Sequence, residues 1–239
     1  MGIDISNTCF NALGWLFLYL MVGRVSPYQR QQEIILQKYD PSNSNRTGNI
    51  AEDVPRYLAS YGRQDTAEHC TAVAAKAKEL AEKFGSDPYR AEQAGFLHDI
   101  SAVIPIAERI DFAHSHGVEV LPAEEQSPMI LHQKLSVVVA KEIFNITDNE
   151  LLSAIGCHST LKAKASLLDK VVFLADKISW DRSGKPPYLS KVTTALEVSL
   201  DAAVLEYMNY LWEQRSQLQI IHPWFVEARE ELLQGTVQK

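Results

Sequence analysis

His69, the adjacent pair His98 and Asp99, His132, His158 and Asp176 are the side chains whose types and placement could do chemistry. Each lies in a segment with helical spacing of apolar residues. His69 shares a stripe with Val73, Ala77, Leu80 and Phe84, His132 with Leu135, Val139 and Ile143, and His158 with Leu151 and Ile155. Asp176 stands above Val172 and Phe173 in LLDKVVFLADKI, and His98-Asp99 closes the run AGFLHDI. An apolar stripe faces the core, where an imidazole or carboxylate is costly unless it is paired or bound to a metal. Any one of these residues alone reads as a satisfied core group. Several from separate helices are satisfied most simply by converging on one metal site.

The ligand types narrow the metal. Imidazoles and carboxylates without thiolates suit iron, manganese, zinc or magnesium. Six groups exceed the four ligands of a structural zinc. Two ions sharing a carboxylate is the natural arrangement. Such a pair holds a hydroxide between its ions and clamps a phosphoryl group for in-line attack.

The elements that must position these groups are helices. Asp65 with Glu68 resembles a capping box, opening a helix that runs to Phe84 and stops at Gly85. Asp87-Pro88 supplies an N-cap and a proline at the first helical position, for a helix ending near Asp99. Pro105 opens another, closed by Gly117, and Pro128 precedes a long one to about Phe144. Thr147 with Glu150 reads as a cap for a helix through His158, and Ser166 with Asp169 for one through Ile178. Helices over residues 190–215 and 223–233 complete the set. Alternating strand patterns are nearly absent, so the fold class is all-α, a helical bundle with the metal site in its core.

Residues 40–49 (DPSNSNRTGN) read as a linker, dividing an N-terminal segment over 1–50 from a main domain over 51–239. The apolar run at 10–22 (FNALGWLFLYLMV) is short of the ~20 residues a membrane span needs, and no positive charge precedes it. A docking helix, a membrane anchor and upstream sequence from a wrongly chosen start are the readings for it, with the anchor last. Cys9, Cys70 and Cys157 form no C-x-x-C pair and are odd in number, which fits a reducing cytoplasm and core packing. A net charge of -7 argues against a nucleic acid polymer as partner. It leaves room for a small phosphorylated substrate, because bound cations supply local positive charge.

H…HD…H…D is the pattern of the HD-domain metal-dependent phosphohydrolases. The stretches AEQAGFLHDIS, LH at 131–132, CHSTLKAKASLLDKVVFLADKI and the following WDR resemble the YqeK-type branch, over roughly residues 52–235. That branch contains the symmetrical diadenosine tetraphosphate hydrolases, which use a di-iron centre. The resemblance implies an enzyme that splits diadenosine tetraphosphate to two ADP by a metal-bridging hydroxide. It implies two divalent or mixed-valence metal ions, iron first, with manganese, zinc and magnesium open. His69, His98, Asp99, His132, His158 and Asp176 match the family's ligands. Asp99 would bridge both ions and act as the catalytic carboxylate. His69, His98 and Asp176 would complete one shell, and His132 with His158 the other. Asp169 shares a helical face with Asp176, but its capping position already explains it.

The chain departs from the family pattern at Ala102, where lysine is common, at Gln133, where glycine is common, and at Ser159-Thr160-Leu161, where a TTG-like turn is common. These positions are expected on the rim of the centre. A mononucleotide, cyclic dinucleotide or alarmone substrate is the alternative, as is a non-catalytic nucleotide- or metal-sensing module. A homodimer is an open option.

Arg182 is the candidate phosphate contact, because guanidinium matches phosphate geometry. Lys162, Lys164 and Lys185 read as solvated loop residues. His114 and His116 suit a helix C-terminus, and His222 a helix start. Trp180, Tyr188 and Trp212 are able to stack on a base, but read first as packing residues.

Overall fold

The computed structural model describes residues 38–39, 46–180 and 184–237. The apolar run at 10–22, linker residues 40–45 and Arg182 lie outside the described residues. Eleven α-helices and no strand occur among those described. None of these helices is long and apolar enough to cross a membrane.

α1 (Ile50–Ser60) begins where the Asn49 side chain accepts the Ala51 N–H. The chain turns through Gly62, at φ +70°, into the 21-residue α2 (Gln64–Phe84). The expected Asp65–Glu68 capping box is not made. Arg63 is the N-cap, with no side-chain cap, and its own N–H is taken by Leu58 O at 3.0 Å. The link between α1 and α2 is so short that the helix starts ahead of Asp65. Gly85, at φ +77°, ends α2 as expected. Asp87 caps α3 (Pro88–Leu97) by accepting the N–H groups of Tyr89 and Arg90.

Pro105 leads into a 3₁₀ turn before the short α4 (Arg109–Ser115), and α5 is Pro122–Gln126. Pro128 likewise starts a 3₁₀ turn, Pro128–Leu131, and α6 (His132–Glu142) follows directly. Asp148, not Thr147, caps α7 (Asn149–Cys157). Glu150 instead pairs with Arg90 of α3 at 2.6 Å. The Ser166–Asp169 box opens α8 (Leu167–Ile178) as expected. The helix expected over 190–215 is two, α9 (Leu189–Leu196) and α10 (Leu200–Glu213), because Ser199 caps a fresh start. The His222 ring accepts the Trp224 N–H at the start of α11 (Pro223–Val237).

α2 packs on α1, α3 and α8, and α8 also touches α3, α7 and α10. Leu58, Leu97, Ile100, Leu135, Ile155 and Phe173 are fully buried between them. Tyr39, on the far side of the linker, is buried too. Its ring meets Phe112 edge-on, and its hydroxyl donates to Glu108.

Gly95 sets the closest crossing. A Cβ there would lie 2.5 Å from Ala74 Cα and 2.7 Å from Ala74 N, so α2 and α3 touch backbone to backbone. Those two helices carry His69 and His98. Gly95→Ala forces them apart, because the obstacle is main chain and cannot swing away. Overpacking of this kind costs about 1–3 kcal/mol. The variant is expected to melt below the wild type in a thermal circular dichroism scan. A melting temperature equal to the wild type's would show that the crossing is not close.

Candidate metal centre

Five helical segments bring one candidate each, or two, to a single point. His69 lies on the inner face of α2, and His98-Asp99 follows the last turn of α3. His132 is the first residue of α6, His158 follows the last turn of α7, and Asp176 is on the last turn of α8. The sequence pattern put His98 and His158 at the ends of their helices, as found, and His132 inside a helix that in fact begins with it.

That location fixes their orientation. The final carbonyls of a helix have no intrahelical donor. His98 Nδ1 meets Gly95 O at 2.7 Å, and His158 Nδ1 meets Ile155 O at 2.8 Å, each three residues back. His132 Nδ1 meets Met129 O of the preceding 3₁₀ turn at 2.6 Å. Each ring donates its Nδ1–H to a carbonyl and turns Nε2 inward. This is the arrangement by which backbone carbonyls set the tautomer of metal-binding histidines.

The inward atoms are close. His69 Nε2 lies 3.0 Å from Asp176 Oδ1 and 3.2 Å from His98 Nε2. His132 Nε2 lies 3.0 Å from His158 Nε2. Asp99 spans the two groups. Its Oδ1 is 3.4 Å from both His132 Nε2 and His158 Nε2, and its Oδ2 is 3.6 Å from His98 Nε2. Three sets have ligand atoms mutually within 4.8 Å: His69, His98 and Asp99; His98, His158 and Asp176; Asp99, His132 and His158. All six candidates belong to this cluster.

The charges are those of a cation site. Burial pushes His98 down to about 4 and lowers His132 and His158 as well, so these rings are neutral. Burial works to raise the Asp99 carboxyl, but in acid, where the rings take up protons, His98, His132 and His158 outweigh it and hold it well below the usual range. Asp176 is also held low, by Lys177 and His69 against its burial. His158 decides what the cluster lacks. With Nδ1–H given to Ile155 O, its Nε2 is an acceptor facing two acceptors, His132 Nε2 and Asp99 Oδ1. A cation is the group that satisfies all three at once, so the donor set fits a metal.

Asp169 is not part of the cluster. It is buried, accepts the Ser166 N–H at 2.9 Å and the Ser153 hydroxyl at 2.6 Å, and lies 3.6 Å from Lys162. Three further residues adjoin the centre; Lys177 escaped sequence reasoning, and Ser159 and Gln133 were expected on the rim. Lys177 Nζ bonds Asp176 Oδ2 and leaves Oδ1 to the histidines. Ser159 Oγ lies 2.8 Å from His132 Nε2. Gln133, expected on the rim, is fully buried. Its Oε1 accepts the Ser159 N–H and the Thr160 hydroxyl, each at 3.2 Å. Lysine directly after Asp176 inside an apolar helix was the available signal for Lys177. His114 is exposed, and His116 stacks on Phe112, so the HSHG tract is structural.

The HD domain family model matches residues 66–181, which contain all six candidates. An uncharacterized protein encoded in the pepC 5′ region of Lactococcus lactis subsp. cremoris is 45% identical over 139 residues, 58% of this chain and 70% of that one. The chain belongs to the HD-domain hydrolases. The symmetrical bis(5′-nucleosyl)-tetraphosphatase of Bacillus subtilis is 29% identical to this HD-domain hydrolase over 140 residues, 58% of this chain and 73% of its own. A solved structure from Clostridium acetobutylicum shares the fold, with a TM-score of 0.71 at 24% identity, covering 77% of this chain and 97% of that one. It is described as a predicted HD superfamily hydrolase involved in NAD metabolism. In this HD-domain hydrolase α9, α10 and α11 lie beyond the family match.

The titration of the cluster has a sign. The folded value of His98, about 4, lies below its ordinary 6.5, so the unfolded chain takes up that proton first as pH falls. Metal-free protein therefore loses stability as pH falls from about 6.5 to about 4. Asp99 and Asp176, held below 3.8, extend the loss to lower pH. Urea midpoints of chelator-treated protein should be lower at pH about 5 than at about 7.5. A flat profile would show the rings to be exposed or charged. Asp169→Asn should cost about 1 kcal/mol as a weakened cap and leave metal content unchanged. Asp176→Asn should lower metal content, and plasma emission spectrometry of the two variants reads the contrast.

Proposed function

We propose that this hydrolase binds two metal ions through His69, His98, Asp99, His132, His158 and Asp176, and cleaves a phosphoanhydride bond of a nucleotide. Diadenosine tetraphosphate, split symmetrically to two ADP, is the substrate we favour. The observation that carries the metal reading is the acceptor-only surroundings of His158 Nε2. The substrate is supported by relatives named symmetrical bis(5′-nucleosyl)-tetraphosphatase, one of which is matched over 73% of its length.

A second observation supports cations. The cleft beside His69 and Asp99 has a volume of about 590 Å³, within the ~300–1,000 Å³ of small-molecule sites. Asp65 and Glu68 line it. A polyphosphate does not enter an acidic cleft unless cations screen it.

When bound, the two ions would supply Lewis acidity to the phosphoryl group and lower the pKa of a water. The protein's own part is positional. The Asp99 carboxylate, with one oxygen toward His132 and His158 and the other toward His98, is oriented to serve both ions. The Lys177 ammonium holds Asp176 in one rotamer and offsets its charge. The Ser159 hydroxyl, 2.8 Å from His132 Nε2, would be released once that lone pair went to a metal and is the polar group placed to meet a substrate oxygen there. Arg182 remains our candidate phosphate contact, six residues after Asp176. Iron is our first choice of metal because of the family resemblance, and the imidazole and carboxylate donors, without thiolate, also suit manganese, zinc or magnesium. The buried free thiols Cys70 and Cys157 fit a reducing cytoplasm.

The test is turnover of purified full-length protein with added iron or manganese. Diadenosine tetraphosphate should yield ADP alone. Asp99→Ala should lose most bound metal and at least about 10²-fold in rate, since one carboxylate serves both ions. AMP plus ATP as products would exclude symmetrical cleavage. Full activity and full metal content in Asp99→Ala would exclude the dinuclear centre.

A further inference from the structure

We propose that the apolar cavity between α10, α11 and the turn at Ser159 receives a nucleobase of the substrate. The proposal rests on the nucleotide-hydrolase reading above and extends it to the residues that select the substrate. The cavity shares a wall with the metal cluster. Ser159 lines it, and the same Ser159 hydroxyl lies 2.8 Å from His132 Nε2. Ile130 lines it as well, two residues before His132.

Size and lining point to a base. The cavity holds about 170 Å³, below the ~300–1,000 Å³ of sites that enclose a whole ligand. It therefore suits one ring system, with the rest of the ligand outside. Leu211, Ile220 and Phe225 make its walls apolar. Trp212 adds an indole that meets two guanidinium groups, with the Arg215 and Arg229 carbons 5.0 and 4.7 Å from its ring centroid, so the exposed Arg215 plane is the outer surface offered to a base. Indole and guanidinium are the surfaces on which unstacked bases lie. Arg215 is exposed and makes no ion pair among the described residues, so its charge is available to a phosphorylated ligand at the mouth. An aliphatic chain would gain nothing from that cation.

The wall is held from behind. Gln133 accepts from the Ser159 N–H and the Thr160 hydroxyl, and Leu161 continues the turn at φ +57°. Most of the lining comes from residues 211–225, outside the family match at 66–181. The six candidate ligands lie inside that match. The division is physically sensible, because the cluster acts on phosphorus in any substrate, while the cavity meets only the part that differs between substrates.

Isothermal titration of full-length, manganese-loaded protein with ADP, pyrophosphate and adenosine tests the assignment. The variants are Ile220→Trp, which fills the cavity, and Leu218→Trp, which narrows its mouth. Leu218 is 39% exposed, so the second change does not load the core. The ratio of ADP to pyrophosphate affinity should fall about tenfold or more in Ile220→Trp, the scale of one lost base stack. It should fall in the same direction in Leu218→Trp. If pyrophosphate binds and the ratio stays within about twofold in both variants, the cavity assignment falls and the metal reading stands. If pyrophosphate fails to bind, while adenosine binds the wild type and not Ile220→Trp, the metal reading falls and the cavity assignment stands.

Discussion

The acceptor atoms crowded around His158 are the constraint on which the centre depends. Three of the four imidazoles, His98, His132 and His158, have already given their one proton to a carbonyl that a helix or 3₁₀ turn left without a donor. The inner nitrogens can then only accept, and the two nearby carboxylates can only accept. Neutralising them by protonation is opposed by burial, which lowers all three of these rings. What remains is a pocket of lone pairs with a shared deficit of positive charge. Helix termination and metal affinity are thus one feature of this fold.

The surrounding structure serves that crowding. Gly95 allows α2 and α3 to touch along their main chains, which brings His69 Nε2 to 3.2 Å from His98 Nε2. The same Gly95 offers the carbonyl that turns His98. On the other side, the segment from α7 to α8 is wound tightly. Leu161 and Lys164 both take positive φ, a conformation that costs a residue with a side chain roughly 1–2 kcal/mol. Gln133, the capping box at Ser166 and the Ser153–Asp169 bond hold that segment in place. His158 and Asp176 then face one point although the chain reverses between them.

Charge divides the molecule's tasks. The chain as a whole is acidic, at -7, and its open cleft carries Asp65 and Glu68. Lysine side chains near the centre are committed inward, Lys177 to Asp176 and Lys162 to Ser153 and Asp169. On the proposed reading, recognition of phosphate would fall to bound cations, with Arg182 and, at the neighbouring cavity, Arg215 as the basic side chains left to assist. A protein built this way discriminates by what surrounds the phosphate.

Sequence alone determined the fold class, the helix that Gly85 ends, the caps at Asp87 and Ser166, and the six residues that meet. These are legible because apolar periodicity and capping are local, and because polar groups on apolar stripes are rare without a shared partner. It also separated Asp176 from Asp169, since a capping carboxylate has its role written three residues away. It misplaced the starts of α2 and α7, where a three-residue link (Tyr61, Gly62, Arg63) and the competing Asp148 decide the cap. Only the tertiary structure decided that His132 opens its helix, that the rings of His98, His132 and His158 are turned by carbonyls three residues back, and that Gln133 is buried behind Ser159 rather than on the rim. It alone brought residues 211–225 to the wall beside His132. Those facts depend on which distant carbonyls and side chains come within about 3 Å, the reach of a hydrogen bond, and no spacing along the chain encodes such a distance.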